Sequence, residues 1–336
     1  MAQDSEAWWE RKSLKSTHES FTAAYVDALR SVYEAPEYKS EPRGQKIRER
    51  LCHTFSLSDP RDRLPFVSER SYSPSYMAAE CLWYLAGIGD VSWIAPYAPF
   101  WTKISDDGVT VNSAYGVRIF RASDKLGIAG SQWEWVKSEL TRDPDSRRAF
   151  IHIRLPRDSF EAKLDVPCTI GLQFFIRDGA LHMWVCMRSL DLNLGLANDE
   201  PAFTLIQELM ALELGCRLGS YTHSAGSAHV YERDFAKVDK ILSASHPMSH
   251  PVPAMKTPPP IAAMLRAESQ MRAATTVSDV DRAITSVAGE IDEYWADHSR
   301  LLGAFWVKKL GDIGAARDLV SRCSWSHWGD GVFRCG

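Results

Sequence analysis

Apolar residues recur with helical spacing in several segments of the chain. Between residues 17 and 35 they fall every three or four positions, at Phe21, Ala24, Tyr25, Ala28, Leu29 and Val32, which places them on one helical face. The run M-A-A-E-C-L-W-Y-L-A-G, within residues 74–87, is almost wholly apolar and ends at a glycine, so it predicts a buried helix. Further helices are predicted at residues 132–140, 201–214, 232–244 and within 261–320.

Residues 149–231 instead show the short β-branched and aromatic runs of strands. Two of these runs lie in D-V-P-C-T-I-G-L-Q-F-F-I-R-D-G-A-L-H-M-W-V-C-M-R (165–188), and Asp178–Gly179 between them is a hairpin signal. Strands and helices in this order predict an α+β fold, in which helices pack on a largely antiparallel or mixed sheet.

Length and composition narrow the class of protein. The 336 residues, 45% of them hydrophobic, can form one large domain or two ordinary ones, and a net charge of −4 argues against general binding to nucleic acid. The seven cysteines include no C-x-x-C pair, which disfavours a disulfide framework or a zinc ribbon. No apolar run has the length of a membrane span and the N-terminus lacks a signal-peptide core, so we expect a cytoplasmic protein that binds no membrane. We also expect it to bind no metal.

Cys168 and Arg188 are the first candidates for chemistry. A thiol at the start of one strand and a guanidinium at the end of the next can face one cavity, and a nearby cation favours the nucleophilic thiolate. A guanidinium also binds phosphate, so the pair suits attack on a phosphorylated substrate. The alternative is that Cys168 only packs in the core, as most cysteines in apolar strands do.

Two acidic residues are also candidates. Glu80 stands in the apolar run of the predicted helix, where desolvation would raise its pKa and suit it to proton transfer. An ordinary buried glutamate paired with an arginine is the alternative. Asp199 precedes Glu200 and Pro201, so it is either a helix N-cap or an acceptor for an amino-bearing base.

Basic and aromatic residues complete the set. Arg147 and Arg148 open a predicted strand, and with Arg43 and Arg188 they could bind phosphate, a solvated charged turn being the alternative. His229 and Tyr231 lie two positions apart on another strand and so share a face, although a lone histidine is more often a packing residue.

These residues belong to an ordered series that resembles the thymidylate synthase family, and within it the pyrimidine-nucleotide hydroxymethylases, over roughly residues 17–260. The series is R-G, E-C-L-W-Y-L-A-G, Y-G, D-P-D-S-R-R, P-C, Q-F, R-S-L-D-L-N-L-G and G-S-A-H-V-Y. The resemblance implies a thymidylate-synthase-like catalytic domain over 1–260, with 261–336 as a C-terminal helical extension of it. It also implies a homodimer formed through the sheet face.

The resemblance further implies individual roles. Cys168 would add to C6 of the pyrimidine, Glu80 would handle protons and order water, Tyr115 would lie near C5, and Asp199 would contact the base. The phosphate would be bound by Arg43, Arg188 and Ser189, the sugar 3′-hydroxyl by His229 and Tyr231, and the partner's phosphate by Arg147 and Arg148, with Gln173 near the nucleotide. The co-substrate would be 5,10-methylenetetrahydrofolate, contacted by Asp191 and covered by Trp101.

The departures from the family pattern concern the base and the folate. Methylating synthases carry Asn at the position of Asp199. An ionised carboxylate only accepts hydrogen bonds, which matches the amino group of cytosine and mismatches O4 of uracil. The family histidine after the cysteine is Thr169 here, and a second tryptophan of the folate-covering loop is Ile104. A looser folate cover would favour attack by water over hydride transfer.

The predicted function is therefore 5-hydroxymethylation of a cytidine monophosphate, with dCMP favoured over CMP. Four alternatives stay open. They are a methyltransferase acting on dUMP, a CMP hydroxymethylase of nucleoside-antibiotic biosynthesis, a non-catalytic nucleotide-binding protein, and a cysteine hydrolase that pairs Cys168 with His182 or His229.

Overall fold

A computed structural model describes residues 15–67, 69–70, 72–121, 130–160 and 163–329. The prediction made for the N-terminus falls on residues 1–14, outside this described part. None of the described helices is long and apolar enough to cross a membrane.

Eight strands and thirteen α-helices make up the described part of the chain. The strands are β1 (Lys15–His18), β2 (Tyr38–Ser40), β3 (Ile47–Leu57), β4 (Phe150–His152), β5 (Thr169–Arg177), β6 (Ala180–Met187), β7 (Leu190–Asp191) and β8 (Arg217–Tyr231). The helices are α1 (Phe21–Glu34), α2 (Pro74–Leu85), α3 (Val91–Ile94), α4 (Phe100–Ile104), α5 (Tyr115–Phe120), α6 (Gln132–Arg142), α7 (Arg157–Phe160), α8 (Gly195–Glu213), α9 (Phe235–Ser243), α10 (Ile261–Arg272), α11 (Val277–Ser286), α12 (Glu293–Lys309) and α13 (Ile313–Ser321).

The strands form one mixed sheet in the order β1-β3-β8-β6-β5-β4, with β2 paired to β3 and β7 paired to β8. β5 and β6 are the antiparallel hairpin predicted at 165–188, and the turn residues Asp178 and Gly179 both have positive φ, 50° and 69°. β6 and β7 run parallel to β8, which requires a crossover, and α8 provides it. The predicted α+β fold is confirmed.

This topology brings the start of β5 and the ends of β6, β7 and β8 to one end of the sheet. Thr169 pairs with Met187, Met187 with Ala225, and Asp191 with His229. Residues that are far apart in the chain therefore meet at this end. The P-C, R-S-L-D-L-N-L-G and G-S-A-H-V-Y motifs lie at this end.

The helices pack on one face of the sheet. α1 contacts β3 and β8, α8 contacts β6 and β8, and α2 packs against both α5 and α8. α2 and α8 are buried along most of their length, which explains why their sequences are apolar on every side. The C-terminal helices α10–α13 pack on one another and against α2, and their buried apolar residues continue the same core.

Two predicted boundaries are wrong. The helix expected at 201–214 begins at Gly195, so Pro201 lies inside α8 and Asp199 is a helical residue, not an N-cap. Pro201 has no N–H to donate within the helix, and the nearby Thr204 hydroxyl donates to the Glu200 carbonyl oxygen at 2.7 Å. Arg147 and Arg148 lie in the turn before β4 and not in the strand itself.

Candidate active site

Cys168 and Arg188 lie side by side, just beyond the last paired residues of β5 and β6. The Arg188 backbone N–H donates to the Cys168 carbonyl oxygen at 2.8 Å, and the guanidinium Nη2 lies 3.6 Å from Cys168 Sγ. The same guanidinium donates to the carbonyl oxygens of Val166 and Pro167, both at 3.0 Å. These bonds fix the orientation of Arg188 and hold its guanidinium beside the thiol.

The surroundings of the Cys168 thiol disfavour its ionised form. Its burial raises the pKa, and the charges of Arg188 and Arg43, which lower it, do not fully offset this effect. Asp199 and Asp165 add negative charge nearby and raise the pKa further. The cation alone therefore does not generate a resting thiolate, and formation of the nucleophile requires a proton acceptor.

Glu80 projects from α2 and is only 4% exposed. Burial raises its pKa to about 8, with a further contribution from the negative charge of Asp199. Its partner is the Tyr76 hydroxyl, which donates to Glu80 Oε1 at 2.7 Å and is the acceptor for Trp101 Nε1 at 3.4 Å. Glu80 is thus a carboxyl that can change protonation near neutral pH, as its apolar sequence context predicted.

Tyr76 is a residue that the sequence interpretation missed. It joins Glu80 to Trp101, the residues predicted to serve proton transfer and to cover the folate. Tyr76 and Glu80 are four residues apart, so they share one face of α2. That spacing was the available signal.

Asp199 lies in the second turn of α8 and is half-buried. Its surroundings raise its pKa to about 7, chiefly through desolvation and also through the charge of Asp191. The charge of Asp199 in turn raises the pKa of Glu80 and of Cys168. Three titratable groups from α2, α8 and the start of β5 are therefore close enough to influence one another.

Tyr115 is the first residue of α5, and its ring lies between the two central helices. Ring centroids are 5.6 Å from Tyr84 on α2 and 6.1 Å from Phe203 on α8. Its hydroxyl oxygen accepts a 3.4 Å hydrogen bond from the backbone N–H of Thr169, which is the residue after Cys168. Burial raises the pKa of the hydroxyl, so Tyr115 acts only as a neutral hydrogen-bonding group here.

Asp191 and His229 are opposite each other on β7 and β8. Asp191 Oδ1 accepts the backbone N–H of Asn193 at 2.9 Å. Desolvation raises the pKa of Asp191 and lowers that of His229. The buried Nδ1 of His229 has no hydrogen-bond partner among the described residues, and the ring lies 5.0 Å from that of Tyr231. An unpaired buried nitrogen of this kind is costly unless a ligand or water satisfies it.

The arginines fall into two groups. Arg43 lies in an exposed turn with an unusual positive φ of 54°, and its charge reaches Cys168 as that of Arg188 does. Arg147 and Arg148 are exposed and line a separate recess with Glu139 and Arg142. The four arginines therefore do not form one cluster in the described chain.

The remaining predicted residues have clear positions. Gln173 donates from its amide Nε2 to the Arg147 carbonyl oxygen at 2.9 Å, so it contacts the arginine turn and not Cys168. Ser189 is half-buried directly beside Arg188. His182, a possible hydrolase partner, lies near the start of β6, far along the strand from Cys168, and its Nδ1 is 2.9 Å from Ser220 Oγ.

The chain is similar to known proteins in both fold and sequence. Thermostable thymidylate synthase A from Bacillus subtilis superposes with a TM-score of 0.57 at 19% identity, covering 68% of this chain and 86% of that protein, which shows a shared fold. A Bacillus phage SP01 protein named deoxyuridylate hydroxymethyltransferase is 34% identical over 222 residues, or 64% of this chain. The match spans 58% of that relative's length. The family model of thymidylate synthase matches residues 23–268, and the chain belongs to this family.

Proposed function

We propose that the protein is a pyrimidine nucleotide 5-hydroxymethylase, which transfers a one-carbon unit to C5 of a cytidine monophosphate, with dCMP favoured over CMP. The observation that carries this proposal is the position of Asp199. Its carboxyl stands among Cys168, Glu80 and Tyr115 with a pKa of about 7. Membership of the thymidylate synthase family and the name of the phage relative support the reaction type.

In the proposed mechanism, Cys168 Sγ forms a bond to C6 of the base while the thiol proton passes to a neighbouring acceptor. C5 then becomes nucleophilic and bonds to the one-carbon unit. Loss of the C5 proton, with cleavage of the bond between that carbon and its carrier, leaves an exocyclic methylene. Water adds to the resulting exocyclic carbon, and cleavage of the Sγ–C6 bond releases the product. Glu80, with a pKa of about 8, is suited to take and return a proton in these steps.

Bound 5,10-methylenetetrahydrofolate would supply the carbon at the oxidation state of formaldehyde, leaving tetrahydrofolate when water completes the reaction. The chain offers a suitable surface for a flat, amphipathic pterin. Phe100 is 58% exposed beside Trp101, and Leu194 is 55% exposed beside Asp191. Exposed apolar groups next to a half-buried tryptophan and a carboxylate fit such a ligand.

The base preference follows from the hydrogen bonds available to Asp199. A protonated carboxyl can donate to N3 of cytosine and accept from its amino group. The same pair of bonds forms if the proton resides on N3 and the carboxylate is ionised. Uracil, whose N3 carries its own proton, is matched only by the neutral acid. Cytosine is therefore compatible with both protonation states of the pair, and uracil with one.

Hydroxymethylation of dUMP is the second candidate, and two observations favour it. The phage relative is named a deoxyuridylate hydroxymethyltransferase. Asp199 has a pKa of about 7, so a neutral form that could donate to O4 of uracil is populated near neutral pH. Under this alternative, use of dUMP should decline as the pH rises above about 7, because the required proton is lost from Asp199.

The remaining assignments concern phosphate, sugar and assembly. Arg43, Arg188 and Ser189 would bind the 5′-phosphate, and His229 Nδ1, which is buried and has no partner among the described residues, would contact the sugar with Tyr231.

We further propose a homodimer formed through the sheet face opposite the helices. Along β5, β6 and β8, residues whose half-buried side chains lie on that face alternate with buried residues of the core. On the same face, Trp184 Nε1 donates to Ser224 Oγ. Arg147 and Arg148, exposed and separate from Cys168, would then serve the partner's phosphate.

The variant Asp199→Asn tests the proposal. An amide donates to O4 and accepts from N3–H, so we expect the ratio of kcat/KM for dCMP to that for dUMP to fall by about a hundredfold or more. Asp297→Asn is the matched control, since it makes the same chemical change at a buried aspartate of α12 that holds Ser324 and Trp328. An unchanged ratio in Asp199→Asn would contradict base recognition by this residue.

A further inference from the structure

The C-terminal helices contact the segment that leads to Trp101. Tyr97 lies between α3 and α4 and is 8% exposed. Its hydroxyl donates to Glu268 Oε1 on α10 and accepts from Trp306 Nε1 on α12, both at 2.8 Å. Its ring also packs on Phe305 of α12, with 4.4 Å between centroids. Two C-terminal helices thus hold one side chain of this loop.

Arg272 adds a second contact from α10. Its guanidinium donates to the backbone carbonyl oxygens of Ser92 at 3.0 Å and Trp93 at 2.7 Å. These carbonyls belong to the short helix α3, whose last carbonyl groups lack partners within the helix. Arg272 also pairs with the buried carboxylate of Glu268 at 2.7 Å and lies over the Trp306 ring at 5.3 Å. The Arg272 guanidinium, held by its ion pair with Glu268, therefore joins α10 to the backbone of α3.

Trp101 follows Tyr97 by four residues and is held on its other side by α2. Its indole N–H donates to the Tyr76 hydroxyl, and its ring lies 5.0 Å from that of Trp83. Residues 91–104 are consequently bound between α2, which carries Glu80, and the helices α10 and α12. A shift of this segment would move Trp101 relative to Glu80.

We propose that α10 and α12 position the folate cover, with Arg272 and Tyr97 as positioning residues that keep residues 91–104 fixed over the folate site. This inference rests on the proposed function, because it assigns the C-terminal helices a task at that same site. It gives residues 261–309 a role in binding the co-substrate and none in binding the nucleotide. Loss of the Arg272 contacts should therefore weaken folate binding selectively.

The test compares Arg272→Gln with Arg300→Gln in the full-length protein. Arg300 is the matched control, because its ion pairs among the described residues, with Glu293 and Asp297, both lie within α12. Three quantities are measured on a Cys168→Ser background, which prevents turnover. They are amide hydrogen exchange of residues 91–104, and the dissociation constants for dCMP and, with dCMP bound, for tetrahydrofolate.

We expect Arg272→Gln to accelerate exchange in residues 91–104 and to raise the dissociation constant for tetrahydrofolate about tenfold, with that for dCMP unchanged. Arg300→Gln should leave all three unchanged even if it lowers the melting temperature. Should Arg272→Gln not fold, Tyr97→Phe removes one hydroxyl from the same network and should give the same pattern with a smaller effect.

Two results would overturn the inference. One is unchanged exchange in residues 91–104 of Arg272→Gln, and the other is an equal loss of folate and nucleotide affinity. Failure of the proposed function looks different. In that case the Cys168→Ser protein with native C-terminal helices does not bind tetrahydrofolate at all, whereas the exchange measurement still reports whether Arg272 orders the segment.

Discussion

Glu80 and Asp199 approach the proposed base site from different helices, and both have raised pKa values, about 8 and about 7. Desolvation is the main cause in each case, and the charge of Asp199 adds to the effect on Glu80. Two carboxyl groups that titrate near neutral pH can exchange protons with a substrate without leaving a buried charge unpaired. This is the chemistry that reversible addition of a thiol to a pyrimidine requires.

The Tyr76 hydroxyl donates to Glu80 and lowers the pKa of that carboxyl, so Tyr76→Phe should raise it above its value of about 8. The limb of the pH profile of kcat/KM that belongs to Glu80 is then expected to move to higher pH. Glu80→Gln should abolish that limb and reduce kcat by about a hundredfold or more. A limb that stays in place in Tyr76→Phe, or moves to lower pH, would contradict the assignment.

The burial and pKa of some site residues could be predicted from the sequence, and those of others could not. An acidic residue in the apolar run of α2 was enough to predict burial of Glu80 and a raised pKa. The charge of Asp191 acting on Asp199 could not be predicted, because it depends on how β7 leads into α8. The burial that raises the pKa of Cys168, against the effect of Arg188, likewise depends on helices remote in sequence.

Among the elements, α2 and α5 approach each other at Gly116. A Cβ atom on Gly116 would lie 2.2 Å from the Tyr84 carbonyl oxygen and 2.4 Å from its Cα, closer than any side chain can be accommodated. The missing side chain therefore lets the two helix backbones touch. Tyr115, which precedes Gly116, is thereby held against Tyr84 and next to Thr169.

Gly116→Ala should force these helices apart and lower the free energy of unfolding by about 1–3 kcal/mol or more. It should also lower kcat, since Tyr115 would be displaced from Thr169. Gly289→Ala is the control, because a Cβ there meets no atom within 4 Å. Urea unfolding and steady-state kinetics of both variants check this expectation, and equal stability of the two would contradict it.

Sequence patterns predicted some of these helices and strands, but not every helix boundary or packing contact. Periodicity located α1, a continuous apolar run ending at a glycine located α2, and the Asp178–Gly179 signal located the hairpin. Pro201 misplaced the start of α8, because a proline commonly marks a first helical turn and here lies within the helix. The Y-G motif drew attention to Tyr115, but the close approach of Gly116 to Tyr84 could be known only from the packing of α2 on α5.

For the whole molecule, the position of Arg147 and Arg148 has a direct consequence. They are exposed and line a recess whose described lining residues include neither Cys168 nor Arg188. The resemblance to the family predicted a homodimer in which each site borrows these arginines. The sequence could not show what residues 261–329 contact, because Tyr97, Glu268 and Arg272 meet only in the folded chain.

Subunit mixing tests the shared arginines. Arg147→Gln with Arg148→Gln in one chain, and Cys168→Ala in the other, should each give an inactive homodimer. After exchange of subunits, one site of each heterodimer has all native groups, so about a quarter of the native activity should return in an equal mixture. No recovery, in a mixture shown by affinity tags to contain heterodimers, would contradict the sharing.

The central claim, hydroxymethyl transfer to C5 of a cytidine nucleotide, is tested most directly by product mass. The protein is incubated with 5,10-methylenetetrahydrofolate and, separately, with CMP, dCMP, UMP and dUMP. We predict that dCMP gives the fastest turnover, that its product is heavier by one CH₂O unit, and that tetrahydrofolate is released. A product heavier by one CH₂ unit with release of dihydrofolate, or turnover of the uracil nucleotides alone, would contradict the account.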